Sequence, residues 1–353
     1  YASVMSQVKD ACDIMVSAGK ECPTIFEIET AAAFLWFYEK KPDVVLLETG
    51  MGGELDATNL IAHPRASVIT SISMDHMQFL GDTIESIAYA KAGIIKEGCP
   101  VYAAEQTSQV YSVLTQVAEL KHAPIVFADG KNTKILEERP GRMTFTYMLT
   151  TGEKLNLATA MAGAYQVKNA ALAAEVAAAL LTGQMTRFRM AETAHRLPVK
   201  SKNEVAQIIE QGIAHTRWPG RFEVVSEDPF LVIDGAHNED AARQLATTVE
   251  NCFTNTRLTY IIGVLADKEH EKMLRIMSPF AERIYTVTPD NARALDAGSL
   301  AKEAEKYCDQ VQPVDSIGEA LERAFSHGEP VLAFGSLSYL GDLKRVFEQQ
   351  KNR

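Results

Sequence analysis

A short apolar run that ends in an acid and a glycine-rich turn constrains the fold more than any other feature of the sequence. Residues 44–47 read VVLL, and residues 48–59 read ETGMGGELDATN. A continuous apolar run of this kind predicts a buried strand, as found in parallel sheets. Ligands of open α/β sheets bind beyond the carboxyl ends of the strands, where glycines let the backbone approach them. We therefore expect the strand to deliver Glu48 to a ligand site.

Strand-like and helix-like patterns alternate along most of the chain. This alternation is typical of βαβ units, which build parallel sheets covered by helices. Predicted strands occupy residues 44–47, 67–72, 100–103, 124–127, 230–233, 258–264, 283–287 and 330–334. Predicted helices in the first two thirds of the chain occupy residues 2–17, 27–38, 83–96, 108–121, 164–181 and 203–211. The sequence therefore predicts the α/β fold class with a parallel sheet.

A proline and a glycine in the segment RWPGR, residues 217–221, predict a junction between two domains. We predict a first domain over residues 1–222 and a smaller, Rossmann-like α/β domain over residues 223–353. Within the first domain, the alternation of residues 134–157 predicts a β insertion. The second domain has no G-x-G-x-x-G segment, so its sequence does not indicate a dinucleotide site.

Composition narrows the classes of function. The 353 residues, of which 46% are hydrophobic, are enough for two packed domains. The net charge of −11 argues against nonspecific binding to nucleic acid or to an anionic membrane. The five cysteines include no C-x-x-C pair, which favours reduced thiols in a cytoplasmic protein. No apolar run reaches membrane-spanning length. We also expect the protein to be a monomer.

Four segments in order carry a resemblance to a known family. They are ETGMGGELDATN at residues 48–59, SISMDH at 71–76, KAGII at 91–95 and DGAHN at 234–238. Together they resemble the folylpolyglutamate synthase and dihydrofolate synthase family, the folate branch of the Mur ligase superfamily. The likeness extends from about residue 22 to the C-terminus. It implies a Mur-ligase-like ATP-binding domain followed by a Rossmann-like glutamate-ligase domain.

The sequence departs from the family pattern at its beginning. Tyr1 lies inside a helical pattern, and no segment fits the phosphate-loop pattern G-x-x-x-x-G-K-[ST]. The family carries such a loop upstream of the region where this chain starts. We therefore expect that the phosphate-loop region is missing from the first domain and that the chain as given is impaired in catalysis.

Glu48, His76 and Lys91 are the candidate metal-site residues. Glu48 and His76 each follow a predicted strand, so both are expected at the same edge of the sheet. On pattern alone, Glu48 caps a turn, His76 bonds a backbone carbonyl and Lys91 snorkels from the apolar face of its helix. The resemblance implies instead that Glu48 and His76 bind Mg²⁺ and that Lys91 is carbamylated. A carbamate would supply anionic oxygen donors where an ammonium would repel the ion.

Polar residues near the predicted junction are the candidate ATP site. The resemblance implies that Asn169, Arg221 and Asp234 contact ATP, with Asn169 contributed by the first domain, and that His237 acts near the phosphates or the amino-acid substrate. Taken singly, Asn169 reads as a helix cap, Arg221 as a junction ion pair and Asp234 as a turn residue. A ligand cleft between two domains would use all of them.

Two segments match positions that line the pterin site of the family. The implied substrate-binding residues are Thr24, Ile25, Phe26, Glu27, Leu55, Asp56 and Ala57. On pattern alone, Thr24 and Glu27 form a helix capping box, with Phe26 in the core. Toward the C-terminus, Ser336, Tyr339 and Lys268 are further candidates for contacts with glutamate, although Lys268 also reads as part of a loop ion pair with Asp267.

The implied reaction is ATP-dependent ligation of L-glutamate to folate, extending to dihydropteroate, through an acyl phosphate. Two alternatives share the superfamily or its fold: a ligase that adds amino acids to a peptidoglycan precursor, and a truncated form that binds folate without turnover. A dinucleotide-dependent oxidoreductase is disfavoured by the missing glycine fingerprint. The expected cofactors are ATP and Mg²⁺, and the expected substrates are folate or dihydropteroate and L-glutamate.

Overall fold

The structure is a computed structural model that describes residues 2–74, 77–187 and 198–351. Contacts between Cα atoms group the chain into two compact units. Unit 1 contains Tyr1–Ala128 and Leu172–Val205, and unit 2 contains Asp129–Ala171 and Ala206–Arg353. Because this grouping does not follow the order of the chain, the boundary between residues 222 and 223 stays a prediction.

Two helices open unit 1. The first, α1, spans Ala2–Ser17, and the second, α2, spans Ile25–Lys40. Thr24 and Glu27 form a capping box at the start of α2, because each side chain bonds the other residue's backbone N–H. The two helices pack through Val4, Val8 and Ala32.

A three-stranded parallel sheet follows in unit 1. Its strands β1 (Ser67–Ile69), β2 (Val101–Ala104) and β3 (Ile125–Ala128) lie in the order β1-β2-β3. The helices that accompany it are α3 (Met77–Leu80), α4 (Ile84–Ala92) and α5 (Ser108–Leu120). Buried aliphatic side chains of β2, α4 and α5 form one core, which includes Ile87, Val101 and Leu114. The predicted parallel sheet is therefore confirmed over these strands.

Residues 44–47 do not form the predicted buried strand. All four side chains are exposed, and Leu46 is 90% accessible. A strand needs a neighbour that completes its backbone hydrogen bonds, and none of the described strands pairs with this run. Within the described sheet, β1 is an edge strand whose pairing partner is β2. Apolar composition predicted burial here, but composition does not supply a pairing partner.

The predicted β insertion is present at the start of unit 2. Strands β4 (Thr133–Arg139), β5 (Arg142–Met148) and β6 (Lys154–Thr159) form an antiparallel sheet in the order β4-β5-β6. Helix α6 spans Ala164–Leu181, as predicted, and α7 spans Lys202–His215.

A six-stranded sheet forms the rest of unit 2. Its strands β7 (Glu223–Glu227), β8 (Phe230–Ile233), β9 (Leu258–Ile262), β10 (Ala281–Thr286), β11 (Val311–Pro313) and β12 (Val331–Phe334) lie in the order β11-β10-β9-β12-β8-β7. All neighbours are parallel except β7 and β8, which are antiparallel. Central strands that are buried on both faces explain the continuous apolar runs of the sequence.

Helices cover both faces of this sheet. They are α8 (Glu239–Cys252), α9 (His270–Met277), α10 (Ala297–Ala304), α11 (Ile317–Phe325) and α12 (Leu337–Lys351). Asn238 caps α8, as predicted, because its side chain accepts a hydrogen bond from the Ala241 N–H at 2.9 Å. None of the described helices is long and apolar enough to cross a membrane.

Candidate functional site

Asp56 organises the glycine-rich loop of unit 1. Its carboxylate accepts hydrogen bonds from the Met51 N–H and the Thr58 N–H, both at 2.9 Å, and from the Thr58 hydroxyl at 2.6 Å. Burial would raise the pKa of Asp56, but these hydrogen bonds together hold it below its ordinary value. Asp56 is therefore an ionised acceptor at the centre of the loop, whether or not it also contacts a substrate.

Glycines let this loop pack directly on the end of α4. A β-carbon on Gly53 would lie 2.8 Å from the Ala90 carbonyl oxygen, and one on Gly93 would lie 2.4 Å from the Glu54 side chain. The Asn59 amide donates to the carbonyl oxygens of Glu54 and Gly93, at 3.1 Å each. The loop and the end of α4 are thus held as one structure, and Lys91 lies in the last turn of that helix.

The substrate residues predicted in α2 and the loop meet through Phe26. Its ring lies where a β-carbon of Gly50 would be, at 2.6 Å, so the two segments are in contact. Phe26 is 42% exposed and so is not the core residue that the capping-box pattern suggested. Ile25 and Leu55 are also exposed, at 77% and 97%, and Ala57 is half-buried. This surface has apolar side chains beside the Asp56 carboxylate.

The predicted metal ligands are only partly described. Glu48 is exposed, and its carboxylate has no hydrogen bond or ion pair with any residue that the structure describes. Lys91 is half-buried rather than fully buried, and it too has no side-chain partner within the described ranges. His76 lies outside the described residues. The described part of the chain contains no group of three His, Cys, Asp or Glu side chains arranged around a metal position.

Mg²⁺ does not need such a group. The ion keeps several water ligands and is commonly bound by one or two carboxylates together with substrate phosphates. The exposed Glu48 carboxylate, which has no partner among the residues that the structure describes, suits that kind of site.

Asp234 lies buried at the carboxyl end of β8 in unit 2. Its two carboxylate oxygens accept hydrogen bonds from the Phe222 N–H and the Ala236 N–H, each at 2.8 Å. Burial raises the pKa of Asp234 to about 6, although these bonds and the charges of Arg221 and His237 act in the opposite direction. The carboxylate therefore ties together two turns that are separated in sequence.

The turn that carries Arg221 is held from two further sides. The Gly235 N–H donates to the Gly220 carbonyl at 2.7 Å, and the Gly220 N–H donates to the Glu223 carboxylate at 2.9 Å. Lys344 in turn pairs with Glu223 at 2.7 Å. These bonds fix the backbone on both sides of the half-buried Arg221.

Tyr165 is a residue that motif reasoning missed. It is half-buried in the first turn of α6, where burial and the charge of Asp234 raise the pKa of its hydroxyl and the charge of Arg221 lowers it. Gln166 accepts a hydrogen bond from the Asn169 amide at 3.2 Å. Tyr165 therefore lies near both charged groups, and it belongs to unit 2 together with Gln166, Asn169, Arg221 and Asp234.

His237 lies directly beyond this cluster. Its Nδ1 bonds the Gly235 carbonyl at 2.8 Å, so Nδ1 carries the proton and Nε2 is left for another partner. Asn169 lies in the same compact unit as Asp234, so the two units do not place these residues in separate domains. The assignment of Asn169 to the first domain stays a prediction.

The candidate glutamate contacts near the C-terminus are not all accessible. Tyr339 is fully buried, and its hydroxyl donates to the carbonyl oxygens of Ile261 and Phe334. Ser336 is also buried and bonds Ser338. Lys268 is half-buried, and its neighbour Asp267 pairs with Arg293 at 3.3 Å. Tyr339 therefore has a structural role, and the prediction that it approaches glutamate is wrong.

Comparison with known proteins identifies the family. Residues 2–177 match the Mur ligase middle domain, and residues 220–337 match the Mur ligase glutamate ligase domain. The chain is 34% identical over 355 residues to the dihydrofolate synthase/folylpolyglutamate synthase of Bacillus subtilis, covering 98% of this chain and 77% of that protein. The chain belongs to the folylpolyglutamate synthase/dihydrofolate synthase family.

Further members of the folylpolyglutamate synthase/dihydrofolate synthase family agree. The folylpolyglutamate synthase of Lacticaseibacillus casei is 32% identical over 327 residues, covering 91% of this chain and 71% of that protein. The Mycobacterium tuberculosis folylpolyglutamate synthase, solved with ADP and AMPPCP, superposes with a TM-score of 0.82 at 25% identity. That match covers 98% of this chain and 78% of the other. The relatives favour the folate branch over the peptidoglycan branch.

Proposed function

We propose that the protein is an ATP-dependent ligase that joins L-glutamate to folate, and also to dihydropteroate, by forming an amide bond. Family membership supports this proposal, and the observation in the molecule that carries it is the cluster in unit 2 where Asp234 holds the turn of Arg221, near the start of the helix that carries Asn169. The related Bacillus subtilis protein is named for both activities, and the Mycobacterium tuberculosis relative binds ADP and AMPPCP. A monomer in the cytoplasm is part of the same proposal.

The chemistry requires activation of a carboxylate before the amine can attack. The substrate carboxylate takes the γ-phosphoryl group of ATP, which releases ADP and leaves an acyl phosphate. The uncharged amine of glutamate then attacks the acyl carbon, phosphate leaves, and the amine loses a proton to give the amide. Water must be excluded from the acyl phosphate during this sequence because it would compete with the amine.

The nucleotide is assigned to the cluster around Asp234. Arg221 supplies a cation whose backbone is fixed on both sides, and Asn169 supplies an oriented amide. His237 has Nε2 available for the phosphates or the incoming glutamate. The Asp234 carboxylate already accepts two backbone N–H groups, so its main effect is to hold the turns of Arg221 and His237 together.

Glu48, His76 and Lys91 are the residues proposed to hold Mg²⁺, which when bound would offset the repulsion between the phosphates and the carboxylate. Carbamylation of Lys91 is part of this proposal. Protein exposed to ¹³C-labelled bicarbonate should show a carbamate carbon signal by NMR that is missing from Lys91→Arg. A signal of equal size in both proteins would contradict the assignment to Lys91.

The folate or dihydropteroate site is assigned to the surface where α2 meets the glycine-rich loop. Thr24, Ile25, Phe26 and Glu27 come from the start of α2, and Leu55, Asp56 and Ala57 come from the loop. The contact between Phe26 and Gly50 supports a shared surface, and the apolar side chains beside Asp56 suit a flat heterocycle that forms hydrogen bonds.

The activity is tested with ATP, Mg²⁺, L-glutamate and either tetrahydrofolate or dihydropteroate, by measuring ADP release and product mass. We expect ADP release that depends on both glutamate and the pterin substrate, with a product heavier by one glutamyl residue. Arg221→Ala should lower turnover, and Arg257→Ala in the same unit is a control outside the cluster. ADP release that needs neither acceptor, or a product without added glutamate, would contradict the proposal.

A further inference from the structure

Helix α12 packs directly on the turn that precedes Arg221. A β-carbon on Gly220 would lie 3.0 Å from a methyl carbon of Leu337, the first residue of the helix. A β-carbon on Gly235 would lie 2.5 Å from the same methyl carbon, although Gly235 comes from the turn after β8. Gly220 also has φ of +74°, a conformation that favours glycine. The two glycines therefore leave the space that the Leu337 side chain fills.

An ion pair makes a second contact between α12 and this turn. The Lys344 ammonium donates to one carboxylate oxygen of Glu223 at 2.7 Å, and the other oxygen accepts the Gly220 N–H at 2.9 Å. The side chains of Lys344 and Glu223 are only 31% and 25% exposed, so water screens this pair less than it screens a pair on the open surface. The Glu223 carboxylate therefore bridges the helix and the backbone of the turn.

The two contacts come from one face of α12. Leu337 and Lys344 are seven residues apart, which places them on the same side of the helix, two turns from each other. Leu340 lies between them, is buried, and would be 3.6 Å from a β-carbon on Gly220. The Gly235 N–H donates to the Gly220 carbonyl at 2.7 Å, so the turn after β8 is held by the same contacts. One helix face therefore restrains both turns of the cluster.

We propose that Lys344 and Glu223 are positioning residues of the nucleotide site, which act by holding the backbone that carries Arg221. Neither side chain needs to touch the nucleotide, since the two oxygens of Glu223 already accept hydrogen bonds within the protein. A guanidinium binds phosphate through a rigid fork of N–H groups, so its hold on the ligand depends on where its backbone lies. This inference rests on the proposed function, because it takes Arg221 as a nucleotide contact.

ADP binding by isothermal titration is the primary test, and it needs no catalysis. Lys344→Met keeps an unbranched side chain and removes the charge, so we expect about fivefold weaker ADP binding. Lys344→Arg keeps a cation that can reach Glu223 and should restore most of that affinity. Arg345→Met is the matched control, because Arg345 pairs with Asp342 within the same helix rather than with the turn.

Two further measurements separate a positioning role from a purely structural one. Turnover at saturating ATP should change less in Lys344→Met than KM for ATP, and the affinity for folate, assigned to unit 1, should not change. A double-mutant cycle tests whether the ion pair acts through Arg221. If it does, adding Lys344→Met to Arg221→Ala should weaken ADP binding no further, since the positioned guanidinium is already gone.

Three results would overturn the inference and leave the nucleotide site in place. They are an ADP affinity of Lys344→Met within about twofold of wild type, an equal loss in Arg345→Met, and losses that multiply in the double variant. In each case the unaltered chain still binds ADP. An unaltered chain that fails to bind ADP would instead refute the nucleotide site, and with it both proposals.

Discussion

The two acidic turns of the molecule have the same sequence pattern and different structures. In unit 1, residues 44–47 and Glu48 precede a glycine turn; in unit 2, β8 and Asp234 precede Gly235. Asp234 is 5% exposed and accepts two backbone N–H groups, whereas Glu48 is exposed and has no partner among the described residues.

Strand pairing explains the difference. β8 lies between β12 and β7, which complete its hydrogen bonds and bury its side chains. None of the described strands pairs with residues 44–47. An apolar run followed by an acid and a glycine therefore identifies a candidate site, but the neighbouring strands decide whether the acid is a buried organiser or an exposed ligand.

Truncating one leucine in each apolar run should give the largest contrast. Leu231 is fully buried, so Leu231→Ala should lower the free energy of unfolding by about 2–5 kcal/mol. Leu46 is exposed, so Leu46→Ala should change it by less than about 0.5 kcal/mol. Urea unfolding, followed by fluorescence of Trp218 in unit 2 and Trp36 in unit 1, measures both. Equal losses would show that residues 44–47 are buried in solution.

Removing each acid should give the next largest contrast. Asp234→Ala leaves the Phe222 and Ala236 N–H groups buried without an acceptor, so a loss of about 2–4 kcal/mol is expected. Glu48→Ala should leave the free energy of unfolding unchanged while lowering ligase turnover. A larger loss of unfolding free energy for Glu48→Ala than for Asp234→Ala would contradict the contrast between the two acids.

Gly93→Ala should show how tightly the glycine-rich loop of unit 1 is held. The added carbon would overlap the Glu54 backbone and side chain, so we expect a loss of about 1–3 kcal/mol. Gly212→Ala, within α7, is the matched control, because nothing lies within 4 Å of its added carbon. There the substitution should stabilise by up to about 1 kcal/mol. Similar effects at both positions would mean that the loop does not pack on α4.

The smallest expected effect is the change of unfolding free energy with pH that follows from the raised pKa of Asp234. Burial raises it from 3.8 to about 6, so between these values the folded protein binds a proton that the unfolded chain does not. This group's contribution to the free energy of unfolding therefore increases as pH falls. Between pH 7 and pH 5, wild type should gain about 1 kcal/mol relative to Asp234→Asn. A constant difference between the two proteins across that range would contradict the raised pKa.

The sequence predicts those elements whose signals are local. Helices α1 and α6 begin and end where periodicity places them, and the Asn238 cap and the capping box of Thr24 and Glu27 are present. Helix α4 is shorter than predicted, because it ends at Ala92, where Gly93 meets the loop. The sequence of the helix itself does not indicate this contact, because the loop comes from residues more than thirty positions earlier.

The candidate site was predictable only where a motif marks it. Asp234 was found because a strand, an acid and a glycine follow one another. Tyr165 was missed because nothing beside it in the sequence distinguishes it from other helical tyrosines. Its partners Arg221 and Asp234 come from turns more than fifty residues away, and only folding brings them together. The prediction for Tyr339 is wrong because its place near the C-terminus does not reveal that its side chain is fully buried.

Isotope transfer tests the central claim most directly. The unaltered chain is incubated with ATP, L-glutamate and a folate whose glutamate carboxylates carry ¹⁸O, and the released phosphate is examined by mass spectrometry. The account predicts one labelled oxygen in each phosphate, because the carboxylate oxygen that attacks ATP leaves with it. Amide formation with unlabelled phosphate, or ATP hydrolysis without amide, would contradict it.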